Sequence, residues 1–365
     1  MGISADVAIL GGGVAGLALA LELRTAGIDA KVFERAERRR PGGLGLIVLA
    51  GGRAALDTFD LGEVFAGAGA PLASIELLAP DGTILRREGL SDAFGLRRSV
   101  LVDALGARLD PAGLHEESTF VGFEREEDGR AVAAHFDDGR QVRAQLFVGA
   151  DGGRSRVRAD LFPGSEIASL GVLEMVGLVQ NAGVADPLQG RLRKVLAPEG
   201  GLAFGALPCG GGSLVWYLQF DPIRHPLVSS RAAEDKRSFA TARLRGWPDW
   251  VHDILAATDW DQPRVWHTGD IDPLPALHRD NVVLIGDAAH PLSPFTSQGV
   301  NAALADARTL AALLRSGRPP DPRALAAWTV SRNAAIAPIR ATGRCLAAKF
   351  LGAPAGGEPS IPLAF

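Results

Sequence analysis

Residues 6–34 read DVAILGGGVAGLALALELRTAGIDAKVFE, and their pattern sets the class of fold that we expect. The apolar run 6–10 predicts a buried strand, the Ala/Leu-rich run 17–26 predicts a helix, and the run 30–33 predicts a second strand. A strand, a helix and a strand in this order form a βαβ unit, which places two parallel strands in one sheet. The segment therefore predicts an α/β protein.

The turn between the first strand and the helix reads GGGVAG over residues 11–16, which fits the pattern G-x-G-x-x-G. In such a turn Gly11 permits the sharp bend, Gly13 lets a pyrophosphate approach the backbone, and Gly16 lets the helix pack closely on the strand. Glu34 follows the second strand, where a carboxylate accepts hydrogen bonds from ribose hydroxyls and repels a 2′-phosphate. The unit is therefore expected to bind FAD or NAD rather than NADP.

A second informative segment, residues 281–301, reads NVVLIGDAAHPLSPFTSQGVN. Its apolar run 282–285 predicts a buried strand that ends at Gly286 and Asp287, and after two prolines the chain opens a helix at Ser297. The strand end brings bare backbone and one acid close together, and the helix N-terminus adds a partial positive charge. This combination suits a ligand with hydroxyls at one end and an anionic edge at the other, as in a flavin.

Four motifs occur in order along the chain: GGGVAG followed by Glu34, RRSVL at 97–101, GADGGRSRVR at 149–158, and GDAAHP followed by QGVN within 286–301. On these motifs the chain resembles the single-component, class A flavoprotein aromatic hydroxylases. The resemblance covers most of the chain and implies a Rossmann-like FAD-binding domain, interleaved with a β-sheet substrate-binding domain and closed by C-terminal helices. The implied FAD-binding domain comprises residues 1–70, 97–165 and 269–350, the substrate-binding domain residues 71–96 and 166–268, and a C-terminal tail residues 351–365.

In the resembled family NAD(P)H reduces the FAD, oxygen adds to the ring as a C4a-hydroperoxide, and the hydroperoxide hydroxylates an electron-rich aromatic ring. The resemblance therefore implies an NAD(P)H-dependent monooxygenase that acts with O₂ on an aromatic or heteroaromatic small molecule. Some relatives attach flavin through a histidine near residues 41–61, but no histidine precedes His115 here, so the FAD is expected to be non-covalent. Because residues 11–16 form the one complete G-x-G-x-x-G that opens a βαβ unit, NAD(P)H is expected to dock transiently.

The resemblance also assigns roles to the residues at matching positions. Asp287 would hold the ribityl hydroxyls, Arg98 would reach the flavin phosphates or ribityl chain, and the amides of residues 298–301 would stabilise negative charge on the reduced ring. Arg98 also fits a surface arginine, and Asp151 also fits the acid cap of a helix. The full set of expected cofactor-binding residues is Gly11, Gly13, Ala15, Gly16, Glu34, Arg35, Arg98, Asp151, Gly286, Asp287, Gln298, Gly299, Val300 and Asn301.

Pro294 and Phe295 are expected to lie over the flavin ring, where side chains without polar hydrogens protect the reactive intermediate from water. No side-chain acid or base is assigned. One face of the second sheet is expected to supply the substrate pocket, but alternate strand positions face opposite sides, and the same residues also fit a plain core. The candidate pocket residues on this sheet are Phe204, Leu207, Trp216 and Leu218. The resemblance adds Leu46 and Val48, which lie in a segment that runs beside the flavin ring in the family.

One position departs from the family pattern. Relatives carry a glycine before the glutamine of the last motif, whereas this chain has Ser297 before Gln298. If the position requires a positive φ, serine is strained there. If serine instead caps the helix, the amides behind it are preserved. The sequence leaves both interpretations open.

Composition argues against several other classes of protein. The 365-residue chain has a formal net charge of −4 and no basic block interleaved with aromatics, so a nucleic-acid surface is not expected. Cys209 and Cys345 are far apart, which argues against a disulfide scaffold, a zinc site or a dithiol flavoenzyme. Since no apolar stretch is long enough to cross a bilayer, a cytoplasmic enzyme without a membrane partner is expected. The oligomeric state and the substrate stay open.

Two other functions fit the same cofactor motifs. A flavin-dependent reductase, dehydrogenase or halogenase on this fold would not place an oxygen atom from O₂ in its product, although the W-x-W-x-I-P signature of tryptophan halogenases is missing here. A non-catalytic protein that binds flavin and sequesters a substrate would show no NAD(P)H oxidation.

Overall fold

The computed structural model describes residues 3–37, 45–315 and 321–352, so the predicted C-terminal tail beyond residue 352 lies outside it. The strands, in chain order, are β1 (Ile3–Leu10), β2 (Ala30–Phe33), β3 (Gly45–Val48), β4 (Ala70–Leu78), β5 (Ile84–Arg97), β6 (Leu114–His115), β7 (Phe120–Arg125), β8 (Ala131–Phe136), β9 (Gln141–Gly149), β10 (Ala168–Gln180), β11 (Arg191–Leu196), β12 (Leu202–Gly210), β13 (Ser213–Phe220), β14 (Arg264–Asp270), β15 (His278–Arg279) and β16 (Val282–Leu284). The α-helices are α1 (Val14–Thr25), α2 (Ala50–Asp57), α3 (Gly62–Ala68), α4 (Arg98–Ala107), α5 (Arg156–Leu161), α6 (Ala182–Ala185), α7 (Ala233–Arg243), α8 (Asp249–Ala256), α9 (Gly299–Leu314) and α10 (Pro322–Leu351).

The first sheet contains the predicted βαβ unit. Its strands lie in the order β15, β16, β9, β1, β2 and β6, and β8 and β7 extend it from β9. β1 pairs in parallel with β2 on one side and with β9 on the other. The pairing with β2 is parallel because α1 carries the chain back across the sheet between the two strands. The ends of β1, β9 and β16 therefore meet at one edge, where the glycine turn and Asp287 follow their strands.

The second sheet is mostly antiparallel and has the strand order β14, β10, β13, β12, β11, β4, β5 and β3. A turn at Asp81 and Gly82 joins β4 to β5, and Gly82 has a φ of +87°. β3 (Gly45–Val48) pairs with β5 in this sheet, although the predicted division placed residues 1–70 with the first sheet. A four-residue apolar run carries no local signal of its pairing partner, which explains the difference. The predicted α/β class, with two sheets and closing helices, is confirmed.

Two glycines explain how closely α1 packs on the first sheet. Gly11 has a φ of +124°, which L-residues rarely adopt, and a Cβ there would lie 2.2 Å from the Ala150 carbonyl oxygen. A Cβ on Gly16 would lie 2.0 Å from the Gly11 carbonyl oxygen. Both glycines are therefore required by packing, as the G-x-G-x-x-G pattern predicts.

The closing helix α10 touches both halves of the molecule. Arg332 in its first half bonds to α9, and Arg344 in its second half bonds to Asp270 at the end of β14. Searched over 3–37, 45–315 and 321–352, the helices contain no segment that is long and apolar enough to span a bilayer.

Candidate active site between the two sheets

A cavity of about 420 Å³ lies between the edge of the first sheet and the inner face of the second. Its walls include the glycine turn, the segment 286–301, β3 and the inward residues of β10 to β13. Of the predicted site residues, Gly13, Ala15, Leu46, Arg98, Leu207, Asp287, Pro294, Phe295, Gln298, Gly299 and Val300 line this cavity.

The glycine turn forms one end of the cavity and fits a dinucleotide. The Glu34 carboxylate accepts hydrogen bonds from the amides of Gly12, at 2.7 Å, and Ala36, at 2.9 Å, so its position after β2 is fixed. A Cβ on Gly13 would have an Arg98 guanidinium nitrogen as its nearest contact, at 3.5 Å. The helix N-terminus at Gly13 has no side-chain cap, so amides and a guanidinium face the same space, as an anionic pyrophosphate requires.

Asp287 lines the cavity, and its side chain is exposed there. The protein packed around the carboxyl raises its pKa, while the nearby Arg98, His290 and Arg158 act against the rise. Its Oδ1 would lie 3.9 Å from a Cβ on Gly299, so the carboxylate sits beside the start of α9. An acid and a helix N-terminus are thus brought together, as the sequence predicted.

A buried network behind Asp287 holds this turn in place. Asp306 on α9 accepts from the Gly286 amide at 2.8 Å and from Arg332 Nε at 2.6 Å, and His290 Nε2 lies 2.6 Å from its Oδ2. Burial acts to raise the pKa of Asp306, but the contacts with His290, Arg332 and the Gly286 amide outweigh it, and the pKa is lowered. The bond from the Gly286 amide to Asp306 therefore fixes the backbone that carries Asp287. Sequence reasoning missed Asp306, because a single acid on a helix carries no local signal of its contacts.

The entry to α9 resolves the two interpretations of Ser297. Ser297 has a φ of +53° and a ψ of 24°, and α9 has Gln298 as its N-cap with no side-chain capping hydrogen bond. Ser297 therefore occupies a position of positive φ and does not cap α9. The first amides of α9 precede the first intrahelical bond, from the Ala302 amide to the Gln298 carbonyl, and so remain available to an anionic ligand edge.

Two predicted cofactor residues have side chains engaged elsewhere. Asn301 accepts from the Leu49 amide and donates to the Ile47 carbonyl, each at 3.0 Å, so it ties α9 to β3. Asp151 accepts from the amides of Arg156, at 2.7 Å, and Val157, at 3.3 Å, and thus caps α5. Neither side chain lines the cavity, and Arg35 is exposed outside it.

The alternation of side chains along each strand separates the candidate pocket residues into those that face the cavity and those that do not. Leu46 and Leu207 line the cavity, but Phe204, Trp216 and Leu218 point to the opposite face of the second sheet and pack under α7 and α8. Val48 is also fully buried away from the cavity. Since the inward positions of β12 and β13 alternate with these, the cavity floor is formed by their sequence neighbours instead.

The neighbours include a polar group that the sequence reasoning missed. Glu174 on β10, Lys194 on β11, and Tyr217 and Gln219 on β13 all line the cavity. Gln219 accepts from Lys194 Nζ and donates to Glu174 Oε2, each at 2.7 Å. The signal was Glu174 in the apolar strand β10, because a buried charge is costly unless it is paired.

Comparison with known proteins identifies a family and several relatives that this chain resembles. Residues 4–317, which include the glycine turn and the segment 286–301, match the family described as FAD binding domain. Aurachin C monooxygenase/isomerase from Stigmatella aurantiaca is 30% identical over 324 residues, 84% of this chain and 80% of that protein. For 3-amino-4-hydroxybenzoate 2-monooxygenase from Streptomyces cremeus the identity is 30% over 358 residues, 94% and 87% of the two chains. The structure of Klebsiella pneumoniae HpxO complexed with FAD and uric acid matches with a TM-score of 0.82 at 22% identity, over 94% of this chain and 87% of that one.

Proposed function

The chain belongs to the FAD binding domain family, and on that premise we propose that it hydroxylates an aromatic or heteroaromatic small molecule with NAD(P)H and O₂ as co-substrates. It is an FAD-dependent oxidoreductase of the monooxygenase class, like the relatives described above. The names of those relatives include an aminohydroxybenzoate, and HpxO was crystallised with uric acid, so flat conjugated rings are the class of substrate that we infer.

The observation that carries this proposal is that one cavity connects the dinucleotide-binding turn with the inner face of the second sheet. Gly13 and Arg98 line one end, and Leu207 and Val215 line the other. The volume of about 420 Å³ lies in the range of small-molecule sites. A cofactor at the turn and a substrate on the sheet would therefore meet without crossing solvent.

The cavity walls and Glu34, which lies beside the glycine turn, have distinct roles in this proposal. Glu34 would bind the ribose, Arg98 and the amide groups at Gly13 would bind the pyrophosphate, and Asp287 would bind the ribityl hydroxyls. When FAD is bound it supplies the electron transfer and the oxygen activation, which no side chain of the cavity can provide. The amides that open α9 would stabilise negative charge at the ring edge.

Pro294 and Phe295 would keep water from the reacting centre. They form a 3-10 turn that Ser293 caps through the Phe295 amide, at 3.4 Å, and Phe295 is 4% exposed. The Phe295 ring packs edge-on against Phe350 at a centroid distance of 5.6 Å, which fixes its position. An apolar wall without polar hydrogens would exclude water from the oxygen chemistry that bound FAD supplies.

The reaction is tested by tracing oxygen. The purified protein, loaded with FAD, is expected to oxidise NADH or NADPH faster in the presence of an aromatic substrate, with one atom from labelled O₂ in the product. NAD(P)H oxidation without label in any product would instead favour a reductase or dehydrogenase. A protein that holds FAD but oxidises no NAD(P)H would match the non-catalytic alternative.

The cofactor roles are tested by flavin content. Asp287→Ala is expected to lower the fraction of purified protein that holds FAD, because the variant removes the carboxylate proposed for the ribityl hydroxyls. Asp261→Ala, on an exposed turn, is the matched control and is expected to keep full FAD occupancy. Equal occupancy and equal FAD affinity in both variants would contradict the role assigned to Asp287.

A further inference from the structure

Three side chains on the cavity floor form a continuous hydrogen-bonded array: Lys194, Gln219 and Glu174. They project from the same face of three strands, and they are only 6%, 2% and 5% exposed. The Gln219 amide joins them, because its oxygen accepts from Lys194 and its nitrogen donates to Glu174. The array therefore ends in a cationic donor on one side and a carboxyl on the other.

The Lys194 ammonium is incompletely satisfied by the protein. An ammonium has three donors, and within the described ranges the Nζ atom has one hydrogen-bond partner, Gln219 Oε1 at 2.7 Å. Its other neighbours are aromatic faces: the Tyr217 ring centroid lies 5.7 Å away and that of Phe295 lies 5.1 Å away. A buried ion pair adds little stability compared with apolar side chains of similar size, so packing alone gives no reason for a lysine here.

The neighbouring backbone makes room for this arrangement. Lys194 pairs across the sheet with Gly205, and Gly205 pairs with Tyr217. A Cβ on Gly205 would lie 2.1 Å from Tyr217 Cζ, so glycine allows the tyrosine ring to lie flat across the strand beside the lysine. The ammonium thus sits between the Tyr217 ring and Phe295, the residue proposed to lie over the cofactor.

The charge of the array favours an anion. Burial raises the pKa of Glu174 to about 7 and lowers the pKa of Lys194 to about 8. Near neutral pH the lysine therefore keeps its proton while the glutamic acid is only partly ionised. Of the other titratable groups in the cavity, Tyr217 is kept neutral because burial raises its pKa, and His267 lies on the β14 wall. The remaining charged groups, Arg98 and Asp287, lie at the cofactor end.

We propose that Lys194 binds an anionic oxygen of the substrate, either a ring carboxylate or an acidic ring hydroxyl, and that Glu174 and Gln219 position the ammonium group for this contact. Lys194 is then the specificity-determining residue of the cavity. An aromatic anion would use the two remaining donors of the ammonium, and its ring would lie between the apolar wall and the sheet. This inference rests on the proposed function, since it names the chemistry of the substrate that the monooxygenase receives.

The test compares aromatic anions with neutral molecules of the same shape. FAD-loaded protein without NAD(P)H is titrated with 4-hydroxybenzoate and 4-hydroxybenzamide, with 2-aminobenzoate and 2-aminobenzamide, and with tyramine as an aromatic cation, and binding is read from the flavin absorbance. The wild-type protein is expected to bind at least one anion about tenfold more tightly than its amide. Equal affinities within each pair, including no binding by any anion, overturn the proposal, and so does a preference for tyramine.

Two lysine variants locate the preference. Lys194→Met is expected to abolish the tenfold difference, whereas Lys194→Arg, which keeps a cation, is expected to retain part of it. Lys236→Met is the matched control, because Lys236 is also buried, at 2% exposed, but donates to the Pro263 carbonyl on another part of the molecule. A Lys194→Met protein that holds FAD and still prefers the anion overturns the proposal, and Lys194→Arg tests it if the methionine variant does not fold.

The pH dependence tests the role of the charged array. In the wild type the preference for the anion is expected to weaken as the pH rises from about 7 to above 8, because Glu174 becomes charged beside the ligand and Lys194 then loses its proton. Glu174→Gln removes the first of these changes, so its preference is expected to be lost with the Lys194 proton alone. A preference that persists unchanged to about pH 9 in the wild type or in Glu174→Gln would contradict the role of the Lys194 ammonium.

The proposed function and this inference fail in different ways. A protein that prefers anions but never incorporates labelled oxygen contradicts the monooxygenase assignment alone. A protein that hydroxylates a neutral ring and binds anions no better than amides contradicts the role of Lys194 alone.

Discussion

Ser297 holds a left-handed backbone conformation, with a φ of +53°, at the entry to α9. A non-glycine residue in this region costs about 1–2 kcal/mol, and glycine recovers most of it while losing about 0.5–1 kcal/mol of chain entropy. Ser297→Gly is therefore expected to raise the free energy of unfolding by about 0.5–1 kcal/mol, as measured by urea denaturation of the FAD-loaded protein.

The matched control for this substitution is Glu117→Gly. Glu117 also has a φ of +53°, but its side chain is exposed and far from the cavity. Both variants are expected to gain similar stability, and only Ser297→Gly is expected to change the ratio of product formed to NAD(P)H consumed. An unchanged ratio would mean that serine at this position is neutral for the reaction.

At the scale of the strand, the structure separates two leucines that the sequence presents alike. Leu207 on β12 lines the cavity at 4% exposed, and Leu218 on β13 lies at 0% in the opposite core. Leu218→Ala is expected to lower the free energy of unfolding by about 2–5 kcal/mol, because it leaves a cavity in a packed core. Leu207→Ala enlarges a cavity that already exists and is expected to raise the substrate KM more than it lowers stability.

Steady-state kinetics and urea denaturation of the two variants check this assignment together. The reverse result, with a raised KM for Leu218→Ala and an unchanged KM for Leu207→Ala, would place the substrate on the other face of the second sheet. Truncation of a leucine is the same chemical change in both variants, so their difference reports position.

These leucines show where sequence reasoning succeeds and where it stops. The run 202–207 is apolar or small at every position, so both faces of β12 read alike and no alternation marks the cavity side. The turn chemistry at Gly11 and at Gly286 was readable, because positive φ and close approach restrict the residue type. Glu174 was visible as a charge inside the apolar strand β10, whereas Lys194 lies in β11 beside Arg193, and only the sheet register brings the two together.

At the scale of the whole molecule, α10 is held to α9 and to the end of β14 by ion pairs. Arg344 bonds to both carboxylate oxygens of Asp270, which is 0% exposed, and to Asp272. Because Arg344 is itself partly exposed, its removal is expected to lower the free energy of unfolding by about 1–3 kcal/mol rather than by the full cost of an unpaired buried charge. Arg344→Ala is measured by thermal unfolding against Arg315→Ala, which removes an exposed arginine 3.6 Å from Glu22 and is expected to change little.

The buried array makes the stability of the molecule depend on pH in a defined window. The folded pKa of Glu174 is about 7 against an ordinary value of 4.5, so the folded protein binds this proton more tightly than the unfolded chain does. The contribution of Glu174 to stability is therefore full below about pH 4.5 and is lost as the pH rises to about 7. Lys194 has the opposite shift, from 10.5 to about 8, and its contribution is lost as the pH falls through that interval.

Glu174→Gln isolates the first of these windows. A glutamine accepts the same hydrogen bond from Gln219 and carries no charge, so the variant is expected to match the wild type near pH 4.5 and to exceed its free energy of unfolding near pH 8 by up to about 3 kcal/mol. Glu76→Gln is the control with the opposite sign, because the Glu76 carboxylate pairs with Arg87 at 2.7 Å, Arg193 at 3.0 Å and Arg191 at 3.8 Å, and its loss leaves these three cations without a carboxylate partner. Denaturation curves at the two pH values measure this difference in the free energy of unfolding. A Glu174→Gln variant less stable than the wild type near pH 8 would mean that the ion pair with Lys194 stabilises the fold by more than burial of the charged carboxylate destabilises it.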